Sequence, residues 1–203
     1  MKADDTFTVN CITHKQSSMY IIGSGGSFLL YDSLWQDSFP VIRGALKELA
    51  IPFANIAGLV VSHFHPDHAG CVEFLRRHGV ELLITEEQLP HVAWLNTFFQ
   101  QSKNDPHGKY VSVAVAELKP YTLAAATAFI QACGIDGRII HTPGHSADGV
   151  SLVVGKTAFV GDLPPWEIAA AFASEVSTSW NDIIGLGVTE YYHAHAGHKQ
   201  IDS

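Results

Sequence analysis

Residues 58 to 62 read Gly-Leu-Val-Val-Ser, and His63-Phe64-His65-Pro66-Asp67-His68 follows at once. A short run that is apolar on both faces must be covered from both sides, which restricts the fold to a sheet held between other layers. Four side chains able to bind a metal leave the carboxyl end of that strand. Residues two apart in extended backbone point the same way, so His63 and His65 can face one point. Pro66 then turns the chain, and Asp67 and His68 stand at the entrance to a helix. Open α/β sheets place ligand sites at such strand ends. Imidazole and carboxylate suit zinc or ferrous iron, with no need of thiolate.

The remaining histidines strengthen that reading. The chain has 12, as many as its lysines and arginines together, and eight fall in three short segments containing His63, His65 and His68, then His141 and His145, then His193, His195 and His198. One metal rarely takes four protein ligands and keeps an open position, so a second ion and further ligands are expected. Three candidates follow predicted strands in small-residue turns: His145 in Thr142-Pro143-Gly144-His145-Ser146, Asp162 in Gly161-Asp162-Leu163, and His195 in His193-Ala194-His195-Ala196. His193 and His198 are the alternatives to His195. His141 reads as structural support for a ligand, and His14, His78, His91 and His107 as ordinary surface or satisfied histidines.

Around these segments strands and helices alternate, so the class is α/β. Apolar runs at 19–22 and 27–31 flank a Gly-rich turn and predict a hairpin. Helical spacing appears at 39–49, 69–78, 86–101 and 123–133, the second and fourth closed by glycine. Strands are expected at 58–62, 81–85, 110–115, 138–141, 149–154, 157–161 and 189–193, with two weaker helical stretches before the last. Residues 102 to 108 (SKNDPHG) form the most loop-like stretch. Trp94, Phe98 and Phe99 read first as a packed helix face and second as the lining of a pocket. Cys71 reads as core.

Composition narrows the function. With 203 residues, 47% of them apolar and 16% charged, the chain suits one well-cored domain spanning 1–203 and is not a disordered one. A net charge of −8 without a basic run argues against a nucleic-acid partner. No apolar run reaches the ~18 residues that span a bilayer, so no membrane is expected. The opening Met1-Lys2-Ala3-Asp4-Asp5 is polar and has no signal-peptide character. Three well-separated cysteines, Cys11, Cys71 and Cys133, predict a reducing, cytoplasmic setting.

In its ordered motifs the chain resembles the metallo-β-lactamase-fold hydrolases. The family's HxHxDH motif stands here as HFHPDH, its TPGH turn as TPGHS, its GD turn as GDL, and its last histidine within HAHAGH. The resemblance covers nearly the whole chain, from Tyr31-Asp32 to His195, and implies a four-layer αββα sandwich. It implies a two-metal site as well, with zinc first and iron or manganese as alternatives. His63, His65 and His145 would hold the first ion, Asp67, His68 and His195 the second, and Asp162 would bridge them. Asp67 and Asp162 are the expected catalytic carboxylates, and a hydroxide shared by the ions would be the nucleophile. Asp32 would support the site through hydrogen bonds.

The resemblance also separates subfamilies. Zinc β-lactamases characteristically lack the bridging aspartate that Asp162 supplies, and flavodiiron-type members carry an acid where His65 stands. The family's RNA-processing nucleases need a basic surface. Glyoxalase II has a C-terminal region for glutathione, and few residues follow His195, so that region is expected to be missing. What these exclusions leave is a metal-dependent hydrolase of a small ester, thioester, lactone or phosphodiester. Its selectivity would come from a lid segment at 86–119 and the Pro164-Pro165-Trp166 turn. The alternative is a mononuclear iron enzyme resembling the persulfide dioxygenases. The oligomeric state is left open.

Overall fold

The computed structural model describes residues 7–101 and 103–201. The polar opening 1–5 and Ser102 of the predicted loop lie outside the described residues. The first sheet has the order β1-β2-β3-β4-β5, from β1 (Thr8–His14), β2 (Ser17–Ser24), β3 (Ser27–Tyr31), β4 (Ile56–Val60) and β5 (Glu81–Leu82). Its first three strands run antiparallel, and β3, β4 and β5 are parallel. The second sheet has the order β10-β9-β8-β7-β6, from β6 (Gly137–His141), β7 (Val150–Val154), β8 (Thr157–Phe159), β9 (Glu190–His193) and β10 (Gly197–Gln200). There only β8 and β9 pair in parallel.

Strand alternation sorts side chains into three apolar layers. Met19, Ile21, Leu30 and Leu59 face outward from the first sheet onto α1 (Phe39–Glu48), α3 (Val72–Arg77) and α4 (Leu89–Gln100). Tyr20, Ile22, Leu29, Tyr31 and Val60 point the other way and meet Leu152, Val154 and Phe159 of the second sheet, with α5 (Leu123–Ala132) closing one side. Val153, Ala158 and Tyr191 form the far face of the second sheet and bury Val176, Trp180 and Ile183 of α6 (Ser174–Gly185). Helices, sheet, sheet, helix: this is the four-layer αββα sandwich. Each fully buried aliphatic or aromatic side chain adds about 1.5–3 kcal/mol, and strands β2 and β7 are buried almost throughout.

Several elements differ from expectation. The helix predicted at 69–78 starts earlier and is broken, as α2 (Pro66–Ala69) followed by α3. Gly70 marks the break because its backbone is pressed against another loop; a Cβ there would lie 2.3 Å from the Gln36 nitrogen. No strand forms at 110–115. Its backbone bonds are taken locally, by the Asp105 carboxylate accepting from the Lys109 and Tyr110 amides and by Asn96 bonding both the Val113 amide and carbonyl. Two strands come as additions. β1 is a mostly exposed edge strand, joined to β2 by a two-residue turn in which Lys15 and Gln16 both take positive φ, 51° and 67°. β10 folds back on β9 after His195.

Candidate metal centre

At the end of β3 the chain enters Asp32, whose φ of 69° turns it inward where it is fully buried. Its carboxylate accepts from the Ser62 amide at 2.6 Å and hydroxyl at 3.0 Å, and lies 2.8 Å from His68 Nδ1. A neighbouring strand end is thereby tied to the histidine motif. With Nδ1 engaged on Asp32, His68 presents Nε2 to the pocket, the usual way a carboxylate fixes a ligand imidazole. Ser62 also meets His63 Nδ1 at 3.0 Å, leaving His63 Nε2 facing the same way.

The seven residues anticipated as ligands come together between the two sheets. His63, His65 and His145 form one group, with His145 Nε2 3.2 Å from His65 Nδ1 and the His63 and His145 ring centroids 4.9 Å apart. Asp67, His68 and His195 form a second. Asp162 stands between them: its Oδ2 is 3.2 Å from His68 Nε2, 3.2 Å from His195 Nε2 and 3.7 Å from His145 Nε2. His63 and His68 are buried, Asp67 and Asp162 half-buried, and His145 and His195 exposed, so the pocket opens on the side of the last two. Gly161 makes the Asp162 turn possible. It has φ 57°, and a Cβ on it would come within 2.4 Å of Ser62 Cβ.

The three C-terminal histidines separate cleanly. His195 donates from Nδ1 to the Gln16 carbonyl at 2.7 Å and turns Nε2 toward both aspartates. His193 accepts the His195 amide on its Nδ1, and His198 pairs with Glu190 at 2.9 Å. His141 bonds the Ala147 carbonyl at 2.8 Å and so braces the turn that carries His145.

Three supports were not legible in the sequence. Ser17 donates to Asp67 Oδ2 at 2.8 Å, and the Gln16 carbonyl holds His195, so the tip of the β1–β2 hairpin positions two candidate ligands. Buried Asp148 accepts the Phe64 amide at 2.8 Å and the Ser146 hydroxyl, joining the two ligand-bearing loops. An acid three residues after TPGH was the only hint of it. The hairpin gave no signal, because nothing local marks a serine hydroxyl for a partner fifty residues away.

Electrostatics fit a cation. Burial works against ionisation of Asp67 and Asp162, yet the bonds from His195 and His68 outweigh it and hold both carboxyls well below the usual range. Asp162 and Asp67 in turn raise the His195 imidazole to about 10. Burial, with His68 beside it, drives His63 well below its ordinary value, toward the neutral form a metal needs. Most telling, His63 Nε2, His68 Nε2 and Asp162 Oδ1 are buried without a well-directed hydrogen bond, although His68 Nε2 and Asp162 Oδ1 have charged neighbours at 3.2 and 3.1 Å. Each such atom costs about 1–3 kcal/mol when left unmet. A cation in the pocket would meet all three, and the His/Asp donor set suits a divalent ion.

The wall beside His65 comes from α4. Phe99 is buried in the core, while Trp94 is exposed with its ring centroid 5.6 Å from that of His65. The predicted aromatic cluster is therefore divided between packing and the pocket mouth.

Comparisons with known proteins agree with this fold. Among curated proteins, the Beta-lactamase-like protein 2 homolog of Drosophila melanogaster is 26% identical over 164 residues, covering 80% of this chain and 52% of that protein. The chain thus spans about half the length of that relative. A metallo-beta-lactamase family protein from Thermus thermophilus superposes with a TM-score of 0.64 at 18% identity, covering 96% of this chain and 74% of that one. TTHA1623, solved in a di-iron-bound form, gives a TM-score of 0.67 at 16% identity over 95% and 94%. At these identities the superpositions speak for the fold. The family model described as the metallo-beta-lactamase superfamily matches residues 12–164, a stretch that holds six of the seven clustered side chains, and the chain belongs to that superfamily.

Proposed function

We propose that this protein is a hydrolase of small esters, thioesters, lactones or phosphodiesters, working with two divalent ions, zinc first and iron or manganese after it. Superfamily membership supports the coarser statement, a metal-dependent hydrolase-like function. The finer reading is carried by one observation, the convergence of buried His63, His68 and Asp162 atoms without well-directed hydrogen bonds between two groups of further donors. His63, His65 and His145 would hold one ion, Asp67, His68 and His195 the other, with Asp162 shared. When bound, such ions act as Lewis acids and lower the pKa of water, supplying a nucleophile at neutral pH.

The chain's own groups do the rest. Burial opposes the charge on Asp67 and Asp162, but their contacts with His195 and His68 hold both carboxyls low and favour protons on those two imidazoles. Binding of cations displaces those protons. Asp32, Ser17 and the Gln16 carbonyl fix the ligand side chains before substrate arrives, so little reorganisation is needed. The mouth opens beside His145, His195 and Trp94, which suits a small molecule; we read no nucleic acid or membrane as partner. No helix among the described residues is long and apolar enough to cross a membrane.

The deciding experiment is metal analysis of protein purified without chelator, followed by an ester, thioester, lactone and phosphodiester panel. About two ions per chain with turnover of a panel member is the expected result. A single iron per chain, with oxygen uptake on a persulfide and no hydrolysis, would replace this reading with the dioxygenase one.

A further inference from the structure

Among the described residues, the large apolar side chains left exposed are Val41, Leu49, Trp94, Val115, Ile168 and Phe172. Of these, Trp94 is 49% exposed and lies against a residue of the metal pocket, His65. Its position is firmly backed. Phe98 packs behind it at 5.5 Å, Phe98 meets Phe99 at 5.2 Å, and Phe99 stacks on Tyr110 at 4.2 Å. Tyr110 donates its hydroxyl to Asn96, which also holds Val113. One turn before Trp94, His91 comes within 3.6 Å of Asp148, the acid that carries the Phe64 amide. Helix α4 is thus tied to the ligand loop, and a half-exposed indole backed by Phe98 stands beside His65 at the mouth, where it offers apolar aromatic surface.

The ion pairing of the pocket carboxylates points the same way. Among the described residues, no Lys or Arg lies within ion-pair distance of Asp67 or Asp162; the lysines and arginines in ion pairs meet Asp37, Glu73, Glu117 and Glu167. A phosphodiester would put its negative charge on the two ions, and side-chain cations are the usual further partners that hold its remaining phosphoryl oxygens. A neutral acyl compound has no such need.

From these two observations we infer that Trp94 sets specificity: the substrate is an uncharged ester, thioester or lactone with an aryl or similarly flat apolar group that packs on the indole while its carbonyl reaches the pocket. The inference rests on the hydrolase reading above and narrows its substrate class.

The test uses the full chain loaded with zinc, with metal content measured for each variant. Acetyl and phenylacetyl thioesters of one thiol are compared by thiol release. Wild type should favour phenylacetyl in kcat/KM by about tenfold, the upper range of one aromatic contact. In Trp94→Ala that ratio should collapse to near one with metal content unchanged, and Trp94→Phe should restore most of it. An unchanged ratio in Trp94→Ala overturns the inference, as does a loss of metal that accounts for the change. Faster turnover of bis-(4-nitrophenyl) phosphate than of either thioester overturns the neutral-substrate part. If wild type cleaves nothing, the hydrolase reading fails by itself. Calorimetric titration with 2-naphthylacetate against acetate then decides the platform: a Trp94-dependent preference upholds it, and equal binding overturns it.

Discussion

Asp32 touches no substrate position, yet three bonds converge on its buried carboxylate and one of them aims His68. Replacing it by alanine should lower metal affinity about 10- to 100-fold, the range for loss of a group orienting a ligand. Chelator competition measures this, and affinity equal to wild type would show that His68 holds its place without help. The three C-terminal histidines allow a sharper contrast. His195→Ala should lose one ion per chain, whereas His198→Ala, which removes a pairing with Glu190 and a stack on Tyr192 but no member of the donor groups, should lose none. Elemental analysis of the two variants decides it; the reverse pattern would move the ligand three residues along. Positions such as His63 and Asp162 are legible in sequence because the residue type carries the chemistry. Ser17 is not, because only its distance of 2.8 Å from Asp67 makes it matter.

Elements place these side chains through their ends and joints. Four of the seven sit just after β4, and the others follow β6, β8 and β9, so register between strands sets ligand geometry. The joint between α2 and α3 shows how little room is left. Gly70 donates its amide to the Leu34 carbonyl, and a Cβ would strike backbone on the facing loop. Gly70→Ala should therefore cost about 3 kcal/mol or more through forced backbone movement, read as a lower urea midpoint; an unaltered midpoint would mean the loop yields freely. The absent strand at 110–115 belongs to this scale as well. Its apolar alternation reads as a strand, but Asn96 and Asp105 satisfy the backbone first.

Over the whole molecule, folding assembles a site that the metal should in turn stabilise. Each donor group spans segments distant in sequence, so a bound ion links both halves and favours the folded state by mass action. Adding zinc should raise Tm, and excess chelator should reverse the gain. Ligand imidazoles must be neutral to bind, and Asp162 and Asp67 raise that of His195 to about 10, so protons compete with the ion increasingly as pH falls from about 10 through neutrality. The zinc-induced rise in Tm should shrink across that interval; a shift independent of pH would place the ion on other groups.

What the amino-acid sequence settled alone was the class of fold, and it named the residue types of the candidate site, because strand and helix periods and side-chain donor types are local properties. HFHPDH, TPGHS, GDL and HAHAGH are each a few residues long, and each names its donors without reference to the rest. What tertiary structure decided was everything that depends on distance across the chain. It separated His195 from His193 and His198 by which ring faces Asp162, set Ser17 and Gln16 under the ligands through a hairpin turn, and divided Trp94 from Phe99 on one helix. Those choices follow from how two sheets pack face to face, and that packing is fixed only when all three apolar layers form together.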